Sequence, residues 1–143
     1  MLGDIFYVSD RLHEIFAAAR ARGAAYVLAA KQKSDLDVIR RNFASVPRPD
    51  GLVGRVIEKP RYSPNRLKGV GVYLFDLPIF DTIRRTPRTA RRDDYEITNA
   101  IQILIEGGYP VAIAEVVAQD LNLTYPADVL QCNLESLHRP VCS

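Results

Sequence analysis

The stretch GVGVYLFD, residues 69–76, is the clearest strand in this chain of 143 residues. Branched apolar side chains alternate in it with glycine and aromatic residues, as expected of a strand with two different faces: Val70, Val72 and Leu74 against Gly71, Tyr73 and Phe75. Glycine inside a strand normally costs stability, so it often marks the close approach of a ligand or of another backbone. Gly69 and Gly71 are candidates for such an approach, and a bulge against a neighbouring helix is the alternative.

Strands and helices alternate on both sides of this stretch. An apolar strand over residues 52–57 precedes it and ends at the turn Glu58-Lys59-Pro60, and Pro78 suits the first turn of a helix over residues 78–85. Ser9 is a candidate N-cap for the helix that ends before Gly23. The remaining predicted elements are strands over residues 1–7, 24–30 and 109–117 and helices over residues 34–41, 94–107 and 126–138.

This alternation predicts one α/β domain over residues 1–143, with a mostly parallel sheet covered by helices. Several of the strands are apolar on both faces, which is typical of parallel strands buried between two layers of helices. The chain is long enough to bury a core of its own. Its first strand has almost no length before Gly3-Asp4, so we expect the chain to correspond to part of a larger unit.

The composition is that of an ordinary globular protein, with 48% apolar and 25% charged residues. A net charge of +2 gives no strong reason to expect nucleic acid as a partner. The longest apolar runs are far too short to cross a bilayer, and no secretory signal pattern opens the chain. Cys132 and Cys142 form no metal-binding motif, so we expect reduced thiols in a cytoplasmic protein.

Five short motifs follow one another along the chain: Leu2-Gly3-Asp4, Glu58-Lys59-Pro60, the strand from Gly69, Glu96-Ile97-Thr98-Asn99, and the segment from Asn122 around Tyr125-Pro126-Ala127-Asp128. Each motif is weak alone, but in this order and at these spacings they resemble the sugar-1-phosphate nucleotidyltransferases. That family makes nucleoside-diphosphate sugars from a nucleoside triphosphate and a sugar phosphate. The resemblance implies a Rossmann-like mixed sheet and magnesium-dependent nucleotidyl transfer.

The resemblance also implies a magnesium site at Asp4 and Asn122. Asp4 matches the aspartate of the family's Leu-Gly-Asp motif, which is a magnesium ligand, and it is the candidate catalytic residue. Asn122 stands where many members carry a second aspartate, and its amide oxygen can bind magnesium but lacks the formal charge. The alternatives are a turn cap for Asp4 and a loop residue bonded to backbone for Asn122.

The turn Glu58-Lys59-Pro60 resembles the family's sugar-phosphate motif. A carboxylate accepts hydrogen bonds from paired sugar hydroxyls, and an ammonium group sits beside a phosphate as a compact charge. We therefore predict that Glu58 binds sugar hydroxyls, that Lys59 binds the phosphate and that the backbone at Gly71 lies beside the sugar. A salt-bridged surface turn is the alternative. Glu96 is expected to stabilise the N-terminus of the helix over residues 94–107, and support of the sugar pocket is the alternative.

The family begins with a glycine-rich nucleotide-binding loop of the form Gly-x-Gly-Thr-Arg-Leu, and this sequence contains no match to it. The backbone cradle for a triphosphate is therefore missing, so the chain resembles the sugar-phosphate-binding C-terminal part of the family's domain. We predict that the chain alone releases no pyrophosphate. Two alternatives remain: a non-catalytic sugar-phosphate-binding remnant, and a subunit that pairs with a separate chain carrying the nucleotide-binding half. The basic run from Arg84 to Arg92 gives only weak support for a nucleic-acid-binding module.

Overall fold

Seven strands and five helices alternate along residues 4–32, 35–63, 65–89 and 95–137, which are the residues that the computed structural model describes. The strands are β1 Ile5–Val8, β2 Tyr26–Gln32, β3 Phe43–Pro47, β4 Val53–Glu58, β5 Leu67–Leu74, β6 Val111–Ala114 and β7 Gln119–Asn122. The helices are α1 Glu14–Ala21, α2 Leu36–Arg40, α3 Ile79–Arg85, α4 Ile97–Glu106 and α5 Pro126–Leu137. The Leu2-Gly3 part of the first motif, Arg91, Arg92 and Cys142 lie outside the described residues.

A five-stranded sheet in the order β4-β3-β5-β2-β6 forms the centre of the fold. The mixed α/β architecture predicted from the sequence is confirmed, but the expectation of a mostly parallel sheet is wrong for the described strands. In this sheet β2–β6 is parallel, whereas β2–β5, β3–β4 and β3–β5 are antiparallel. The prediction failed because an apolar run reports burial on both faces of a strand and not the direction of its neighbours.

Helices cover both faces of this sheet, which explains why most residues of its inner strands β2 and β5 are apolar. Successive residues of β2 belong to different layers: Val27 packs in the cluster that includes Ile15 of α1, and Leu28 packs in the cluster that includes Ile101 of α4. Leu28 and Ile101 are both 0% exposed, and each such side chain contributes about 1.5–3 kcal/mol. This packing holds β5 between β3 and β2.

The strands β1 and β7 form a separate antiparallel two-stranded sheet, called here the β1–β7 ribbon. Ile5 pairs with Asn122, so Asp4 lies immediately before β1. One edge of β1 is therefore paired with β7. Strand β7 was not predicted, because three of its four residues are polar and no apolar alternation marks them.

Ser9 binds the segment just ahead of β7 and does not cap α1. The predicted N-cap was therefore wrong. Its hydroxyl donates to the carbonyl oxygen of Val116, just ahead of β7, and His13 occupies the N-cap position. The backbone N–H of Arg11 donates to Ser9 Oγ at 3.1 Å. A bond of this kind closes a local turn and delays the start of the helix.

Strand β3 was also missed, because it has only five residues and ends in proline. It forms a hairpin with β4. The backbone N–H of Arg48 donates to the carbonyl of Leu52 at 2.7 Å, and Asp50 Oδ1 accepts from the N–H of Leu52 at 3.0 Å. Residue 34, where the sequence predicted the start of this helix, lies outside the described residues. Asp35 caps α2 by accepting from the N–H of Asp37 at 2.9 Å.

Two expectations from composition can be compared with the structure. None of the described helices is both long enough and apolar enough to cross a membrane. Cys132 is a free thiol buried in α5.

Candidate functional site

A cavity of about 350 Å³ lies where the β1–β7 ribbon meets the end of β4, the middle of β5 and the start of α4. It is lined by all the residues that the sequence nominated as site residues: Asp4, Glu58, Lys59, Gly71 and Asn122. Arg41, Phe43, Gly69, Tyr73, Glu96 and Thr98 also line it. Motifs from both ends of the chain are thus brought to one place.

Asp4 and Asn122 lie close together at one end of the ribbon. Asn122 is the last residue of β7, and the backbone N–H of Leu123 donates to the carbonyl oxygen of Asp4 at 2.8 Å. Both residues are exposed. The described part of the chain holds no group of three or more His, Cys, Asp or Glu side chains suited to a metal. One carboxylate and one amide oxygen nevertheless fit magnesium, which takes few protein ligands and keeps water or substrate oxygens for the rest.

Glu58 ends β4, and two neighbouring side chains hold its carboxylate. Thr98 Oγ1 donates to Glu58 Oε2 at 3.2 Å, and Lys59 Nζ lies 3.5 Å from Glu58 Oε1. Burial raises the pKa of the Glu58 carboxyl; the charge of Lys59 opposes this shift and that of Glu96 adds to it. The side chain is still 25% exposed. A carboxylate that is partly desolvated in this way gains from accepting further hydrogen bonds.

Lys59 adopts a backbone conformation that residues other than glycine rarely adopt, with φ at +41°. Its N–H donates to the carbonyl oxygen of Asn42 at 2.7 Å, and the buried Pro60 follows it. Strain of this kind costs about 1–3 kcal/mol and tends to occur at ligand sites. The Lys59 side chain is 41% exposed at the cavity, so its ammonium group is open to a ligand.

Gly71 lies at a bulge in β5. The pairing with β2 changes register between Leu28–Tyr73 and Ala30–Gly69, so β5 has additional residues at this point. The φ of Gly71 is +75°, a conformation that favours glycine and is common at bulges. A bulge is therefore present at Gly71 in the pairing with β2, whereas the sequence alternative was a bulge against a neighbouring helix, and this bulge forms part of the cavity wall.

Gly69 is glycine for a different reason, which is the packing of an aromatic ring. A Cβ at this position would lie 1.8 Å from Cζ of Phe43. The Phe43 ring in turn stacks on Tyr73 with centroids 6.2 Å apart, and Tyr73 stacks on Phe75 at 5.3 Å. The absence of a side chain at Gly69 thus allows this stack of rings to form beside the cavity.

Glu96 occupies the N-cap position of α4 but makes no side-chain capping hydrogen bond. It lines the cavity, and its negative charge contributes to the raised pKa of Glu58. The sequence favoured a role at the helix N-terminus, and the structure provides no capping bond to support it. Its position in the cavity wall beside Glu58 makes Glu96 a part of the candidate site.

Known proteins of one family match this chain. The family model described as nucleotidyl transferase matches residues 1–120. The chain belongs to the nucleotidyl transferase family. The order of motifs predicted the sugar-1-phosphate nucleotidyltransferases, and membership in the nucleotidyl transferase family is thereby confirmed.

Two relatives of this chain come from Haloferax volcanii. The low-salt glycan biosynthesis nucleotidyltransferase Agl11 is 36% identical over 83 residues, which are 58% of this chain and 23% of that protein. The UTP–glucose-1-phosphate uridylyltransferase AglF is 31% identical over 97 residues, which are 68% of this chain and 40% of that protein. The chain therefore spans less than half of the length of these relatives.

Solved structures of similar fold are also longer than this chain. A UDP-glucose pyrophosphorylase in complex with UDP-glucose superimposes with a TM-score of 0.79 and 15% identity, over 97% of this chain and 55% of that one. A putative glucose-1-phosphate thymidylyltransferase from Bacillus anthracis in complex with sucrose gives a TM-score of 0.74 and 15% identity, over 100% and 55%. At these identities the likeness shows the fold alone.

Two residues that line the cavity were not predicted from the sequence. Arg41 follows α2, is exposed and brings a second cation to the cavity beside Lys59. Tyr73 lines the cavity from β5, and burial raises the pKa of its hydroxyl, with a further contribution from the charge of Glu58. Tyr73 could have been found, because it is two residues from Gly71 on one strand. Arg41 belongs to none of the motifs, and no pattern marks it.

Proposed function

We propose that this chain supplies the sugar-phosphate and divalent-cation contacts of a sugar-1-phosphate nucleotidyltransferase. The complete reaction would transfer a nucleoside monophosphate from a nucleoside triphosphate to a sugar 1-phosphate, giving a nucleoside-diphosphate sugar and pyrophosphate. One observation carries this proposal: Asp4 and Asn122 of the ribbon line the same cavity as Glu58, Lys59 and Gly71 of the central sheet. The relative named for glucose 1-phosphate supports the choice of substrate class.

The charges of the cavity favour joint binding of a cation and a phosphate. Its wall carries three carboxylates, Asp4, Glu58 and Glu96, against two cationic side chains, Arg41 and Lys59. A wall with this excess of negative charge repels a phosphate dianion. One bound divalent cation would reverse the sign of the net charge. We therefore expect sugar-phosphate binding to depend on the cation.

Magnesium would be held by the Asp4 carboxylate and the Asn122 amide oxygen. When bound, it neutralises phosphate charge and stabilises the charge that develops during nucleotidyl transfer. The contribution of the chain itself is to present the two oxygen donors on neighbouring strand ends. The bond from the Leu123 N–H to the Asp4 carbonyl, at 2.8 Å, holds these strand ends together.

The sugar phosphate would be held from the other side of the cavity. Glu58 would accept hydrogen bonds from sugar hydroxyls while Thr98 steadies one of its oxygens at 3.2 Å. Lys59 would give the phosphate a compact charge, and Arg41 a planar group able to form two parallel hydrogen bonds. The backbone at Gly71 would lie beside the sugar. These contacts would align a phosphate oxygen of the sugar phosphate for attack on the α-phosphorus of the nucleotide.

The triphosphate would be bound by residues outside this sequence. The sequence contains no match to the family's glycine-rich loop, and the chain covers 55% of the solved structures it resembles. We therefore expect the 143-residue chain to bind sugar phosphate and cation without turnover. A nucleotide-binding half, in the same protein or in a partner chain, would complete the enzyme. A non-catalytic sugar-phosphate-binding protein is the second candidate, and it would gain no pyrophosphate release when that half is added.

Calorimetric titration with glucose 1-phosphate, with and without magnesium, tests the proposal. We expect binding with magnesium, much weaker binding in its absence, and a loss of at least about tenfold in affinity for Lys59→Ala, since about 1.4 kcal/mol corresponds to tenfold. Arg61→Ala is the matched control, because Arg61 is an exposed cation near the same turn that does not line the cavity. Equal losses for both variants, or no binding to the wild-type chain with magnesium, would refute the proposal.

A further inference from the structure

A buried ion pair joins the β1–β7 ribbon to the central sheet. Lys68 Nζ of β5 donates to Asp120 Oδ2 of β7, and the two side chains are only 3% and 2% exposed. Neither residue lines the cavity or belongs to a motif that the proposed function uses. The proposed function therefore does not explain why this ion pair is present.

Stability alone is a poor explanation for this pair. Removing two charges from water is costly, and a buried ion pair is often no more stabilising than apolar side chains of similar volume. Asp120 Oδ1 is buried and has no hydrogen-bond partner, which adds to the cost. A buried pair does, however, fix one relative placement of the two elements that carry it, because any other placement leaves a charge unpaired.

The placement that this pair fixes is that of the residues proposed to hold the cation. Asp120 lies two residues before Asn122 on β7, and residues two apart in a strand point to the same face. Lys68 directly precedes Gly69 on β5, in the cavity wall. Holding Asp120 against β5 therefore sets both the distance of the ribbon from that wall and the rotation of Asn122 about β7.

Three other hydrogen bonds hold backbone groups of the chain just ahead of β7. Lys31 Nζ donates to the carbonyl oxygen of Ala118, and Ser9 Oγ donates to that of Val116. The N–H of Ala118 donates to the carbonyl of Val8 at 3.0 Å. These bonds position the segment before β7, whereas the Lys68–Asp120 pair acts on a side chain within the strand that ends at Asn122.

We propose that Lys68 and Asp120 are positioning residues that orient Asn122 and the β1–β7 ribbon for cation binding. This inference rests on the proposed function for the cation and goes beyond it by assigning a role to two residues outside the cavity. It requires that cation affinity and local ribbon stability depend on the pair even where the global stability of the fold does not.

The double variant Lys68→Met/Asp120→Leu tests this, because it removes both charges and keeps apolar volume. We expect a melting temperature close to that of the wild type and at least fivefold weaker binding of Mn²⁺, a probe for the magnesium site. Binding of glucose 1-phosphate at saturating magnesium should change less than twofold. A variant that melts like the wild type and binds Mn²⁺ as tightly would overturn the proposal.

The variant Lys68→Gln/Asp120→Asn is the conservative counterpart, since a neutral amide pair can keep a hydrogen bond between the same positions. We expect this variant to bind Mn²⁺ with an affinity within about twofold of that of the wild type. Since about 1.4 kcal/mol corresponds to tenfold, this difference is small. If the Lys68→Met/Asp120→Leu variant does not fold, the Mn²⁺ affinity of the Lys68→Gln/Asp120→Asn variant tests the proposal by itself. An Mn²⁺ affinity reduced fivefold or more in the amide pair would then contradict the positioning role.

Amide hydrogen exchange separates this inference from the proposed function. If wild-type protein binds no Mn²⁺, the cation half of the proposed function has failed, and the positioning of the ribbon is judged from the exchange rates. Leu121 pairs with Phe6, and we expect its amide to exchange at least tenfold faster in the Lys68→Met/Asp120→Leu variant than in wild type. The exchange rate of the Leu28 amide should be the same in both proteins. Equal exchange at Leu121 in wild type and variant would overturn the positioning role.

Discussion

Lys59 and Gly71 both have positive φ in the cavity wall, at +41° and +75°, but only one of them is a glycine. Gly71 adopts this conformation at no steric cost. Lys59 adopts it although an L side chain is disfavoured there by about 1–2 kcal/mol. The strain is tolerated because the N–H of Lys59 is bonded to Asn42 and Pro60 is buried. A glycine at position 59 would relieve the strain but would carry no ammonium group.

The variants Lys59→Gly and Lys59→Ala separate these two effects. Both remove the ammonium group, but only alanine keeps the strain, so we expect Lys59→Gly to be more stable than Lys59→Ala by about 1–2 kcal/mol. Both should bind glucose 1-phosphate at least about tenfold more weakly than wild type. Urea unfolding and calorimetry measure the two quantities. Equal stability of the two variants would show that the turn is not strained.

Glu58 gives a pH dependence whose sign follows from burial. Folding raises the pKa of the Glu58 carboxyl from 4.5, so the folded state favours the protonated carboxyl. The stability that the Glu58 carboxyl contributes is therefore fully present below the unfolded pKa and is lost as the pH rises through the folded pKa. We therefore expect Glu58→Gln to be more stable than wild type at pH 7, with the difference shrinking towards pH 4. Urea unfolding at both pH values checks this.

The matched control for that experiment is Glu115→Gln, since Glu115 is an exposed carboxyl away from the cavity. It should leave the binding of glucose 1-phosphate unchanged. Glu58→Gln should also weaken glucose 1-phosphate binding, because the amide presents one acceptor oxygen instead of two. A variant that binds as tightly as wild type would remove Glu58 from the proposed site.

At the scale of the element, β5 combines packing and site geometry in one strand. Gly69 makes room for the Phe43 ring, and Gly71 forms the bulge at the cavity wall. The two glycines of the stretch from Gly69 to Asp76 therefore have separate physical causes. The sequence identified both positions as close approaches, but it could not show that an aromatic ring from a strand absent from the prediction was responsible for one of them.

Gly69→Ala tests the packing of β5 against β3. With Phe43 in place, the added Cβ would lie 1.8 Å from the ring, so we expect a destabilisation of about 1–3 kcal/mol. In a Phe43→Leu background the same substitution should cost much less, and it would gain the roughly 0.5–1 kcal/mol by which alanine exceeds glycine inside a strand. A double-mutant cycle by urea unfolding measures the coupling, and additive effects would contradict the proposed contact.

Which elements could be predicted depended on the strength of their local pattern. The strand at Gly69 and the helix α4 were found because alternation or helical spacing extends over most of each element. Strands β3 and β7 were missed because they have five and four residues and owe their structure to their partners. Strand direction was mispredicted for the same reason, since pairing is a tertiary property that an apolar run does not encode.

At the scale of the whole molecule, the cavity exists because two separate sheets meet. The order of motifs predicted its residues, since Asp4, Glu58, Lys59, Gly71 and Asn122 all line it. Their arrangement could not be predicted, because it depends on the β1–β7 ribbon and on Lys68–Asp120, a contact between residues far apart in the chain. Arg41 was missed because only the packing of α2 brings it to the cavity wall.

Asn122→Asp tests how the charge of the whole cavity governs cation binding. A second carboxylate at the end of the ribbon should strengthen Mn²⁺ binding at least fivefold, because ligand charge tunes the affinity of such sites. Asn133→Asp adds the same charge at an exposed position of α5 and is the control. Electron paramagnetic resonance of free Mn²⁺ measures both affinities. Equal gains in the two variants would indicate a general charge effect and would not support a ligand at Asn122.

The central claim is that one cavity holds a divalent cation on the ribbon side and a sugar phosphate on the sheet side. It is tested most directly by the ³¹P relaxation of glucose 1-phosphate in the presence of the chain and Mn²⁺. We predict faster ³¹P relaxation with protein and Mn²⁺ together than with Mn²⁺ alone, and a return to the Mn²⁺-only rate in Asp4→Ala. Saturable binding of glucose 1-phosphate with no protein-dependent effect of Mn²⁺ on ³¹P would contradict the claim, because cation and phosphate would then occupy different places.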